Sequence, residues 1–379
     1  EDGIRDIGVT GVQTCALPIS CDPGDLEVMS LRFSGAQAFD PAVLEAGIVT
    51  TPSSWLRRTT GRLGARRCLD HQQFALDALR LVLFYRNHGY VAATVDTLVA
   101  PAGRGRVAVE FRVTEGAPIR ISDLIVEGLD DVPERAAVTA GLAVARGTPF
   151  DKYAIEEARD SLSRRLRNRG YPDAEVFVGY DTRVAAHEAS VRLTVQPGRR
   201  VTVGPLRIAV TPRPGTARGI GDATVRRVSG LADGDLYSEE RLEQAKRALY
   251  QTEAYDQVSV RPDTGAVRGD SANVGVTLDL AEGYMRTARA AFGYGTLDCF
   301  RATGDLTQHN FLGGAARLDV NTRVSKIGIS EPLTGAASLC PQAKADPYSH
   351  ELNYYLGASA SRPAVFREFA PSEIGRAHV

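Results

Sequence analysis

The sequence points to an α+β protein, with three tandem β-α-α-β-β modules followed by the first strands of an antiparallel transmembrane β-barrel. Two observations lead there. A helix-end, turn and strand segment recurs around Tyr90, Tyr171 and Tyr255, as "LFYRNHGYVAATV", "RLRNRGYPDAEV" and "ALYQTEAYDQVSV". Each copy runs into a further strand closed by a glycine, Gly116, Gly198 or Gly283, and these lie roughly 82 and 85 residues apart, the size of a small domain. Beyond Gly283 the pattern changes to strict alternation of apolar and polar residues, the period of a strand with one oily and one wet face.

The modules span residues 20–116, 117–198 and 199–283. The middle one is the clearest. "IRISDLIVEG" reads as a strand with a turn glycine and "PERAAVTAGL" as a short helix. Asp151 then caps a helix running to Asn168, on which Ile155, Ala158, Leu162 and Leu166 form one apolar stripe. Gly170 ends that helix, and "AEVFVGYD" and "ASVRLTVQ" follow as two strands, so the two helices can cover one face of a three-stranded sheet. The third module repeats this order after a Pro- and Gly-rich insertion. Its second helix starts near Ser238, has Glu239 and Glu240 in the first turn where the helix dipole favours them, and presents Leu242, Ala245 and Leu249. The first module has a helix start at Pro41 and an arginine-rich insertion, "TPSSWLRRTTGRLGARR", that departs from the pattern and reads as a solvated loop or a binding patch.

Residues 284–366 hold about four strands, and 367–379 form a tail. In "CFRATGDLTQHNF", Phe300, Ala302, Gly304 and Leu306 share one face, while Arg301, Thr303, Asp305, Thr307 and His309 take the other. Leu318, Val320, Thr322 and Val324 oppose Arg317, Asp319, Asn321 and Arg323, and Leu352, Tyr354, Leu356 and Ala358 oppose Glu351, Asn353, Tyr355 and Gly357. Strands of about 9 to 11 residues cross a bilayer at barrel tilt. A short "LGG" turn and a long connection over residues 326–349 alternate as the turns and loops of a barrel meander do.

Composition narrows the function classes. A formal net charge of −1 gives no reason to expect nucleic-acid binding, and no apolar run reaches the roughly 18 residues of a membrane helix. Residues 1–19 and 374–379 read as translated sequencing-library adapter, "VTGVQTCALPI" and "IGRAHV" being its clearest parts, which makes the natural protein longer at both ends and Cys15 foreign to it. Cys21, Cys68, Cys299 and Cys340 have no zinc-site spacing. No G-x-S-x-G, H-E-x-x-H or Walker motif occurs, so no catalytic, cofactor-binding or metal-ligating residues are assigned and the chain is not expected to be an enzyme. His71 and His88 are expected on helix surfaces, His309 in a lumen or at a rim, and Gly219 and Gly221 in turns.

Three such modules leading into "GYGTLDCFRATGDLTQHNFLGG" resemble the POTRA domains and first barrel strands of the BamA/TamA-type outer-membrane assembly factors, from about Leu26 to Phe366. The most specific part is "GYGT" at Gly293–Thr296 with "HNFLGG" at His309–Gly314. The resemblance implies a bacterial outer-membrane protein of Gram-negative type with periplasmic modules. Its partners would be unfolded outer-membrane clients, outer-membrane lipid, and accessory lipoproteins or another periplasmic protein. A two-partner secretion transporter and a soluble binding scaffold are the rival readings. The family's later Arg-Gly-aromatic loop motif lies in strands beyond this chain, and Glu253 stands where the module's turn usually has glycine. With the first strand rising from the periplasm, Cys299 and Cys340 fall in external loops, where they are candidates for a disulfide; Cys21 and Cys68 are a second such pair. A small sheet covered on one face keeps an open edge able to pair with a client strand, but the sequence does not say which strand that is.

Overall fold

The computed structural model describes residues 21, 24–263, 272–329, 335, 338–345, 351–363 and 372–378. Residues 1–19 of the adapter reading lie outside these. The chain divides into two compact units, residues 1–162 with 176–195, and residues 163–175 with 196–379.

The first unit holds two three-stranded sheets. In the first, β1 (Glu27–Ser34), α1 (Pro41–Ala46), α2 (Trp55–Thr60), α3 (His71–Asn87), β2 (Thr94–Pro101) and β3 (Arg106–Thr114) give the sheet order β1-β3-β2. The last strand is central, parallel to β1 and antiparallel to β2. Its alternating sequence turns Val107, Val109, Phe111 and Val113 into a core with Val28, Leu44, Phe74, Leu81 and Tyr85. Asp40 caps α1 by accepting from the Ala42 amide at 2.8 Å, and Asp70 caps α3 by accepting from Gln72 and Gln73.

The second sheet repeats this plan. β4 (Arg120–Glu127), α4 (Arg135–Thr139), α5 (Lys152–Arg167), β5 (Glu175–Arg183), a 3-10 turn at Val184–Ala186 and β6 (Glu188–Gln196) give the order β4-β6-β5. The stripe read from sequence is fully buried, with Ile155, Ala158, Leu162 and Leu166 each at most 1% exposed. Asp151 accepts from the amides of Tyr153 and Ala154.

The second unit contains β7 (Thr202–Thr211), α6 (Asp222–Ser229), α7 (Glu239–Tyr250), β8 (Tyr255–Pro262) and β9 (Asn273–Glu282), ordered β7-β9-β8. Ser238 caps α7, and Leu242, Ala245 and Leu249 enter a core with Val274, Val276, Leu278 and Leu280 of the central strand. An antiparallel sheet follows: β10 (Arg286–Gly295), β11 (Cys299–Gln308), β12 (Arg317–Ile327), then α8 (Pro341–Lys344), β13 (Asn353–Ser361) and β14 (Ser372–His378). It is open, with β10 and β14 as outer strands.

That sheet has five strands where the sequence reading had about four. The extra strand, β14, falls within the stretch read as a tail, five of its seven residues (374–378) being read as adapter, and pairs with β13 from Tyr355 to Ser361. Its residues, "SEIGRAH", carry no apolar–polar period, so residue type alone gave no mark of a strand.

Candidate functional site: open strand edges and a two-faced sheet

A strand edge becomes a binding site only if nothing already pairs with it. In all three modules the same device covers the edge of the first strand. The loop just before the second long helix folds back and bridges that strand's start, as Glu27↔Cys68, Arg120↔Pro149 and Thr202↔Leu236. Further main-chain bonds reinforce each bridge. Val28 donates to Arg67 and Ser53 to Val28, Ile121 donates to Thr148 and Gly147 to Ile121, and Val203 donates to Asp235 and Gly234 to Val203. The first strand of each module also carries a register shift, which bends it away from regular pairing.

Among the described residues, elimination leaves the second strands, β2, β5 and β8, as the module edges without such a cover. β5 displays two aromatic side chains. Its Phe177 and Tyr180 are exposed, and Tyr180 leans edge-on against the buried Phe150 with ring centroids 5.1 Å apart. β2 and β8 end in Pro101 and Pro262, which lack the amide a ladder needs. β5 has no proline.

The five-stranded sheet has two unlike faces, set by register. One face carries the cross-strand rows Ala288–Leu306–Val320–Ala358, Ala290–Gly304–Thr322–Leu356 and Phe292–Ala302–Val324–Tyr354. Leu306 is 43% exposed and Leu356 52%, so these side chains are not covered by helices. The Thr322 hydroxyl in those rows donates to the Gly304 carbonyl at 3.1 Å. The opposite face carries Arg289–Asp305–Asn321–Gly357 and Thr287–Thr307–Asp319–Ser359. Several of its polar groups bond one another across or along the strands. Thr307 donates to Asp319 at 2.7 Å, Asn321 donates to Asp305 at 2.8 Å, and Arg317 pairs with Asp319 at 2.8 Å.

At one end of this sheet the β11–β12 turn meets the third module. Asn310 donates to the Gly219 carbonyl at 2.6 Å, Arg227 donates to the Gly314 carbonyl at 2.8 Å, and Arg317 pairs with Glu253 at 2.5 Å. Glu282 accepts from the amides of Gly219 and Ile220, so the "RGIGDA" glycines serve as turn and cap, with Gly221 at the N-cap of α6. His309 is buried in the same junction, its amide bonded to Met285.

At the other end, Cys299 and Cys340 are joined as a disulfide with Cα atoms 5.5 Å apart, and both side chains are buried with Ala343 beside Ile329. Tyr294 donates to the Leu339 carbonyl at 3.0 Å beside it. Cys21 and Cys68 are likewise joined, with Cα atoms 5.6 Å apart. His71 is exposed on α3 as read from sequence. His88 is not a free surface group: it caps α3, sits between Phe39 and Phe84, and its Nδ1 is 2.7 Å from the Phe84 carbonyl. Among the described residues no three His, Cys, Asp or Glu side chains stand together as a metal site.

Comparison with known proteins agrees with this architecture. The surface antigen variable number repeat model, POTRA, matches residues 27–116, 119–198 and 215–283. The outer membrane protein assembly factor BamA of Neisseria meningitidis serogroup B is 21% identical over 276 residues, 70% of this chain and 32% of that protein. The assembly factor BamA of Neorickettsia risticii is 22% identical over 301 residues, 79% of this chain and 39% of its own length. The chain thus spans between about a third and two fifths of these relatives. A crystal structure of Haemophilus influenzae BamA POTRA3-5 is 24% identical with a TM-score of 0.39, covering 68% of this chain and 96% of that one. The chain belongs to the surface antigen variable number repeat family, with three POTRA repeats.

Proposed function

We propose that this chain is the periplasmic arm and first barrel strands of a non-enzymatic outer-membrane factor that assembles other barrel proteins. The observation that carries the reading is the two-faced sheet. An uncovered apolar face backed by a polar face that carries cross-strand hydrogen bonds suits a barrel wall between lipid and a wet lumen. The modules, residues 20–116, 117–198 and 199–283, would capture extended client strands at β5, and secondarily at β2 and β8, through main-chain hydrogen bonds. Such pairing is indifferent to client sequence, as a factor serving many clients requires. Client strands would then pass to the membrane sheet, whose outer strand β10 is itself open. The Cys299–Cys340 bridge would sit on the external side, in an oxidising compartment.

Depletion of the full-length protein tests this reading. Loss of many outer-membrane barrels together supports an assembly factor, whereas loss of one exported client with normal barrels supports the secretion alternative. A proline at Val178, within β5, should weaken assembly more than one at Asp96 in β2 if β5 is the principal edge.

A further inference from the structure

The insertion between α1 and α3 is not explained by strand capture or by the sheet. Residues 50–69 contain five arginines, Arg57, Arg58, Arg62, Arg66 and Arg67, and no acidic residue, in a chain whose net charge is −1. The same stretch displays Trp55, 67% exposed, with Leu56 at 49% and Leu63 at 65%. These apolar groups are displayed by a braced structure. Ser54 caps α2 and Gly61 closes it in the left-handed region. The Leu63–Gly64 segment folds back onto α2, where a side chain at Gly64 would lie 3.3 Å from the Leu56 Cβ. Ser54 donates to the Ala65 carbonyl at 3.0 Å, Ser53 to Val28 at 2.8 Å, and Leu69 to Leu26 at 2.8 Å. The nearly buried Glu27 holds Arg57 at 3.0 Å, and the Cys21–Cys68 bridge closes the base.

Bracing on this scale stabilises an arrangement that leaves a tryptophan and two leucines in water. Arg57 is neutralised by Glu27, and Arg66 and Arg67 bond to the Asp25 carbonyl and the Thr51 hydroxyl. Arg58 and Arg62 have no side-chain partner among the described residues. Apolar side chains that include tryptophan, ringed by uncompensated arginines, match the interfacial region of an anionic lipid leaflet, where the indole sits at headgroup level and the guanidinium groups meet phosphates.

We propose that this insertion is a membrane-surface anchor of the first module, with Trp55, Leu56 and Leu63 entering the interface of an anionic phospholipid leaflet and Arg58 and Arg62 engaging its headgroups. The site is independent of how the strand edges are used. Complementarity of charge favours lipid over a protein partner. Residues 50–69 supply five arginines and no acid of their own, and with Arg57 neutralised by Glu27 the excess of positive charge suits the dense negative charge of an anionic leaflet.

Trp55 is the chain's single tryptophan, so its fluorescence reports on the site directly. The chain is held in phosphatidylcholine nanodiscs and titrated with vesicles of phosphatidylcholine alone or mixed with phosphatidylglycerol. The expected result is a blue shift with the anionic vesicles only, quenched by brominated acyl chains and reversed by salt. Each arginine near an anionic surface is worth about fivefold in partitioning, so the Arg58→Gln, Arg62→Gln double variant should bind about thirtyfold more weakly. Neither side chain has a partner among the described residues, so the variant should keep the first module intact. An unshifted emission with anionic vesicles overturns the proposal, as does a shift equal in both lipids. A shift that appears only on adding periplasmic protein also overturns it, in favour of a protein-docking surface.

Discussion

Glu253 offers a quantitative test of how the third module is joined to the sheet. It occupies the turn after α7 at φ 54°, where the other two modules have Gly89 at φ 91° and Gly170 at φ 100°. A side chain at Gly89 would lie 2.8 Å from the Phe150 carbonyl, and one at Gly170 2.8 Å from Leu236. Those glycines therefore answer both to backbone conformation and to a close neighbour. At Glu253 the side chain has room, and it reaches Arg317 at 2.5 Å. With the Glu253 side chain 62% exposed and that of Arg317 29%, the pair contributes about 0.2–1 kcal/mol. Glu253→Ala loses the pair and keeps the strained backbone, so it should destabilise by that amount. Glu253→Gly loses the same pair but sheds about 1–2 kcal/mol of left-handed strain, of which roughly 0.4–1 kcal/mol is offset by the greater freedom of the unfolded chain. Glycine should therefore exceed alanine by about 0.5–1 kcal/mol. Hydrogen exchange of the β9 amides in the full chain measures this, as opening roughly two- to fivefold rarer in the glycine variant than in the alanine one. Equal protection in the two variants, or better protection with alanine, would refute the strain reasoning.

Acid should loosen the base of the arginine-rich insertion. Burial raises the pKa of Glu27, but hydrogen bonds from Arg57 and Ser53 and the charges of Arg57 and Arg106 outweigh it and hold the carboxyl below its ordinary value of 4.5. The stability this supplies is complete above that value and is lost as pH falls through the depressed one. Amide protection at Ser53 and Val28 should drop in that acidic window, and Glu27→Gln should be weaker at neutral pH and lack the drop. Gly128 follows β4 at φ 84°, and an added Cβ would collide with the Val195 carbonyl of the central strand. Gly128→Ala should therefore cost about 1–3 kcal/mol, read as a lower urea midpoint, and an unchanged midpoint would show that β4 can shift aside.

Legibility in the sequence followed the range of the interactions. Local signals carried through: the helix starts at Pro41, Asp151 and Ser238, the stripes Ile155–Leu166 and Leu242–Leu249, and the period-two strands all stand where residue type placed them. Sheet order did not, because the central position of β3, β6 and β9 arises from parallel pairing between strands some 70 residues apart in sequence, and alternation only says which face is buried. The open edges were hidden for the same reason: the covering bridges at Cys68, Pro149 and Leu236 are main-chain contacts with no side-chain signature. His309 read as a lumen or rim residue by position, and its burial depends on the third module packing against the β11–β12 turn. Glu253 was visible as a departure from glycine, but its partner Arg317 lies four strands further along the chain.

Whether the face bearing Leu306, Val320 and Leu356 meets lipid is tested most directly by an arginine placed there. In the full-length protein folded into phospholipid vesicles, Leu356→Arg should lower the unfolding free energy by about 2–4 kcal/mol, while Ser359→Arg on the opposite face should leave it within about 0.5 kcal/mol. Should Leu356→Arg prove as harmless as Ser359→Arg, that face is bathed in water and the outer-membrane reading fails.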